Sequence, residues 1–85
     1  MSTHTEVAIT AMVTLPNGDM VAWEAVRFAP GAPAPQTWDV EVRRFHSSGD
    51  VDILEEHEDL QEDEAKHVFE RLCAKYPDAD HSVNY

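Results

Sequence analysis

Eight acids and no base lie between Asp52 and Glu64. A carboxylate run of that density can hold a divalent cation, complement a helix start, or dock on a basic surface. The first fails on spacing. Asp50, Asp52, Glu56 and Glu58 imitate positions one, three, seven and nine of a calcium loop. Position five is then Leu54, position six is Glu55 where a glycine must turn the chain, and position twelve is Gln61 where a bidentate glutamate is needed. The second accounts for Glu62, Asp63 and Glu64, which fall in the first turn of a helix and complement its positive end. Glu55, Glu56, Glu58 and Asp59 remain, and they are the residues expected to dock on a basic protein. The competing expectation is a solvated acidic face, the ordinary state of exposed Glu and Asp.

The other chemistry-bearing residues form no catalytic or metal-binding set. Glu64-x-x-His67 has the spacing of a di-iron bundle, but such a site takes carboxylates from four helices and this chain offers one. His57 stands among Glu55, Glu56, Glu58 and Asp59, a setting that is no sign of catalysis. Cys73 falls on the apolar side of a helix in an acidic chain, the opposite of the electropositive setting a reactive thiolate needs. Three glycines build no phosphate loop, and no serine has nucleophile-elbow spacing. No catalytic residue, metal ligand or cofactor is therefore expected.

Trp23, Trp38 and Phe45 suggest a stacking platform for single-stranded nucleic acid, but that use requires a basic groove. Here residues 1–49 carry five acids against three bases, and residues 50–85 carry twelve against three, giving −11 overall. A field of that sign repels nucleic acid and anionic membranes and attracts basic proteins.

The elements that position these residues follow from periodicity. Residues 6–15 alternate Val7, Ile9, Ala11, Val13 and Leu15 with Ala8, Thr10, Met12 and Thr14, the pattern of a half-buried strand. Asn17-Gly18 then signals a hairpin. Met20 to Phe28 is apolar on both sides and predicts a second strand covered on both faces. Three prolines between Pro30 and Pro35 predict an extended loop. Trp38 to Arg43 predicts a third strand with Trp38, Val40 and Val42 inward, and Val51 to Glu56 a short fourth with Val51 and Ile53 inward. Ala65, Val68, Phe69, Leu72, Cys73 and Tyr76 recur at helical spacing over an arc of about 140°. Asp59 and Glu62 suggest a capping box before that helix, and Pro77 stops it. Residues 78–85 form a tail in which Ser82 to Tyr85 would add a short edge strand or stay loose, and residues 1–5 are expected to be a loose tail.

Eighty-five residues make one small domain. The expected fold is α+β: an antiparallel meander of three or four strands, packed on one face by a single C-terminal helix. One helix leaves the other sheet face bare, and Met12 and Trp23 are its expected interface residues. No run is long enough to span a membrane, no secretory signal opens the chain, and the lone Cys73 fits a reducing compartment, so the cytoplasm is expected. No stretch resembles a known family. The expected function is non-enzymatic: a small acidic protein-binding module acting on a protein with a basic surface. Size and charge suggest an inhibitor or decoy of a nucleic-acid-handling protein, by analogy with phage inhibitors and immunity proteins. The alternatives are a homodimer or assembly subunit pairing through the bare sheet face, and a small enzyme or ligand carrier with its site between subunits.

Overall fold

The computed structural model describes residues 3–85. Its measure is 45 × 28 × 19 Å, and the short axis is the thickness of one sheet and one helix. The α+β fold is the one expected. Strand β1 (Thr3–Thr14) is its spine. The loose start expected at residues 1–5 lies partly outside the described residues, and Thr3 to Thr5 belong to β1.

β2 (Met20–Ala22) returns antiparallel on β1, with Thr14 opposite Met20. Between them Leu15 N–H bonds to Asp19 O at 2.8 Å, Gly18 N–H bonds to Leu15 O at 2.8 Å, and Gly18 sits at φ 92. This is a three-residue turn with glycine at its left-handed position, so Gly18 alone takes the positive φ that the Asn-Gly pair was expected to share. The second strand stops early. After Ala22 the chain enters a single 3-10 turn, Trp23–Ala25, and further turns carry it into the proline loop. Apolarity on both sides of residues 20–28 therefore marks a short strand and a turn with Met20 and Phe28 left exposed, not a doubly covered strand.

The loop rejoins the sheet where Gln36 N–H bonds to Met12 O. From there β3 (Thr37–His46) runs antiparallel along the other edge of β1, from Met12↔Thr37 to Thr3↔His46. β4 (Val51–Leu60) pairs antiparallel with β3. The connection follows the form of the first hairpin, with Gly49 at φ 96. The strand order is β2-β1-β3-β4, so β1 rather than β2 is central. β5 (Asp80–Asn84) lies parallel to β1 from Glu6↔Asp80 to Thr10↔Asn84, on the edge β1 also shares with β2.

Helix α1 (Glu62–Lys75) crosses one face. Its Ala65, Val68 and Leu72 meet Val7, Ile9 and Ala11 of β1 and Trp38, Val40 and Val42 of β3 in one buried cluster. Leu72 is 2% exposed, whereas Phe69, Cys73 and Tyr76 pack at its margin. The N-cap is Gln61, without a side-chain cap bond, in place of the expected Asp59–Glu62 box. The reason is that β4 continues as strand to Leu60, which takes Asp59 into the sheet. The acids of the first turn, and Glu62 paired with Lys66 at 3.8 Å, complement the helix start instead.

Candidate acidic docking site

The geometry of the acidic run is set by two bulges in β4. Trp38 pairs with Leu60 and Val40 with His57, so Glu58 and Asp59 together oppose Asp39. Val42 pairs with Glu55 and Arg43 with Ile53, which leaves Leu54 as an extra residue. Each bulge re-aims side chains relative to simple alternation. At the Leu54 bulge both Leu54 and Glu55 turn toward the helix: Leu54 packs on the core, and Glu55 accepts hydrogen bonds from Lys75 Nζ at 2.9 Å and Tyr76 Oη at 2.8 Å. Those two bonds hold the Glu55 carboxyl below the usual carboxylate range, and they raise Lys75 and Tyr76 in turn.

Glu56 falls on the opposite, bare face, directly across from Glu41. Glu58 lies within hydrogen-bonding reach of Glu56, and that contact, with the nearby charges of Asp59 and Glu41, raises its pKa. Asp59 sits at φ 57, and its N–H bonds to Asp39 Oδ1 at 3.2 Å. Partial burial raises the Asp39 carboxyl; the Asp59 N–H opposes this, and the charges of Glu58, Asp59 and Glu41 add to it. Five carboxylates thus meet at the β3–β4 bulge: Asp39, Glu41, Glu56, Glu58 and Asp59. Arg43 bonds to Glu41 at 2.8 Å and reaches Glu6 at 3.6 Å. Among the described residues no ion pair reaches Asp39, Glu56, Glu58 or Asp59.

The structure therefore brings together three of the four acids selected from sequence and separates Glu55 from them. It adds Asp39 and Glu41, which sequence reasoning missed. Their alternation with Trp38, Val40 and Val42 placed them on one outward face, but only the β3–β4 register shows which acids they join. No group of three or more His, Cys, Asp or Glu among the described residues is arranged to hold a metal ion. Cys73 is unpaired and half-buried, with its thiol pKa raised by burial and then by Glu70.

Met12 and Trp23 do not share a surface. Met12 lies on the bare face, across from Thr37 and Ala22. Trp23 packs against the buried cluster, and its indole Nε1–H donates to Pro33 O at 3.0 Å, which ties the proline loop over that side. The bare face carries exposed apolar side chains at Met20 near Met12 (50% exposed) and at Val51 and Ile53 (47% and 48%), which were expected inward and which the Leu54 bulge sets outward. No helix among the described residues is long and apolar enough to cross a membrane. No family model matches the chain, nor does any curated protein or any solved structure.

Proposed function

We propose that this chain is a small, non-enzymatic protein-binding module that docks on a basic protein surface through the carboxylates at the β3–β4 bulge. The observation that carries this reading is electrostatic. Asp39 and Glu58 both have raised pKa values, and although Arg43 pairs with Glu41 beside them, no cation of the described chain pairs with Asp39, Glu56, Glu58 or Asp59. A lysine or arginine from a partner relieves that repulsion, and a −11 molecule steers such a partner toward it. The partner class that fits is a protein whose own ligand is nucleic acid, with this chain occupying the basic surface as an inhibitor or decoy. An unpaired Cys73 suits a reducing compartment, and we place the protein in the cytoplasm.

The test is retention of host proteins by the immobilised chain after nuclease digestion, at low and high salt. A basic protein held by the wild type should be released by salt. It should be lost from a variant carrying Glu56→Gln, Glu58→Gln and Asp59→Asn, and nucleic acid should compete for it. Equal retention by wild type and triple variant refutes the reading.

A further inference from the structure

Among the described residues helix α1 covers one face of the sheet and no helix covers the other, and this bare face is divided into two corners along β4. Its outward row runs Val51, Ile53, then across the bulge Glu56 and Glu58, because these residues stand opposite Phe45, Arg43 and Glu41 and at the Asp39 bulge. Val51 and Ile53 are each about half exposed. Phe45 beside them is stacked by His4, with ring centroids 4.8 Å apart and planes 13° apart. An apolar corner therefore adjoins the carboxylate corner. Their centres are about four residues apart on β3, or about 13 Å. Between them Arg43 spans Glu41 and Glu6, and Ala8, also on this face, is 1% exposed.

Three features select the occupant. First, the free edge of β4 is broken by bulges at Leu54 and at Glu58–Asp59, and Asp59 is left-handed, so no regular ladder is offered to an added strand. The side-chain surface is what remains. Second, a second copy of this chain would cover the apolar corner but leave the carboxylates without cations, and it brings its own −11. Third, a sheet face takes a helix as its next layer. A helix about 10–12 Å across covers two to three strands spaced about 4.8 Å apart.

We propose that the bare face binds a cationic helical segment of another protein. That segment seats an apolar pair on Val51, Ile53 and Phe45 and sets lysines or arginines on Glu56 and Glu58, which Arg43 leaves unpaired. At 1.5 Å per residue, the 13 Å separation puts the apolar anchor and the cations about nine residues apart, or two and a half turns. The proposal rests on the docking reading above and names its partner's chemistry.

The experiment uses the full chain and two synthetic helical peptides of about 16 residues. One has leucines in its first turn and lysines from the third turn onward. The other has the same composition with leucines and lysines interleaved. The segregated peptide is expected to bind more tightly, with affinity lost about tenfold on Ile53→Ser and again on Val51→Ser, since each removes half-exposed apolar area. Glu56→Gln with Glu58→Gln should weaken both peptides. If the serine variants leave the segregated peptide unaffected while the glutamine variant weakens it, the acidic docking reading stands and this inference falls. Failure of the segregated peptide to bind at all also overturns it. So does sedimentation showing a wild-type dimer that Ile53→Ser makes monomeric, because the face would then belong to a second copy.

Discussion

Asp59 is the non-glycine residue in the described chain with positive φ, at 57. That conformation costs an L-residue about 1–2 kcal/mol, less for Asp, whose short side chain tolerates it. Asp59→Gly should therefore be neutral or stabilising, and it also removes one charge from the carboxylate corner. Asp59→Val should destabilise by about 1–2 kcal/mol; a valine variant as stable as wild type in urea would mean that this bulge carries no strain. Glu55 and the corner act in opposite pH senses. The Glu55 pKa is lowered, so the stability from Lys75 and Tyr76 is present above its unfolded value of 4.5 and is lost as pH falls through the folded one. Those of Asp39 and Glu58 are raised, so the folded state is favoured as these groups take up protons below neutrality. The melting temperature should thus rise as pH falls from neutrality and drop again once pH passes below the ordinary Glu55 value of 4.5 and through its lowered folded one. Glu55→Gln should remove much of the final drop. Tyr76→Phe should lower stability through the lost hydrogen bond to Glu55, measured in urea at neutral pH.

Helix α1 was legible because its apolar spacing is local, and the structure buries Ala65, Val68 and Leu72 of the stripe. From spacing alone Phe69 and Leu72 are the expected core anchors. Leu72 is fully inside, whereas Phe69 lies at the margin against His81, centroids 5.9 Å apart. Leu72→Ala should accordingly cost about 3–5 kcal/mol and Phe69→Ala less, about 2–3 kcal/mol, by thermal or urea melts. The reverse order would mean that the helix is rotated from this packing. Strands β1 and β3 were legible from alternation for the same reason. The full reach of β4 was not, because Glu55 to Asp59 lacks apolar alternation and is held by pairing with β3 and by two bulges. The same bulges decided the site: a period of two puts Glu55 opposite Glu56 and Glu58 but keeps Val51 and Ile53 on its own inner face, whereas the bulge at Leu54 turns those two outward and leaves Glu55 facing Lys75. Trp23 failed differently. Its neighbours read as strand, and only the tertiary bond to Pro33 fixes it as a turn residue under the proline loop.

Taken whole, the molecule carries −11 on 85 residues, with its densest acids in β4 and the first turn of α1. Repulsion of that kind is screened within about 8–10 Å at physiological ionic strength. Added salt should therefore raise the melting temperature while weakening any basic partner, and the two effects can be followed on one sample. A last consequence belongs to β1. Over Glu6 to Thr10 it is bonded on both edges, antiparallel to β3 and parallel to β5, with Val7, Ile9 and Ala8 almost wholly shielded from water. Its amide hydrogens should consequently exchange with deuterium more slowly than any others in the chain, at the rate of global unfolding. Those of β5 and of the outer edge of β4 should exchange earlier by local opening. Five residues near one end of the chain would then act as the clock against which every partial opening of the rest is timed.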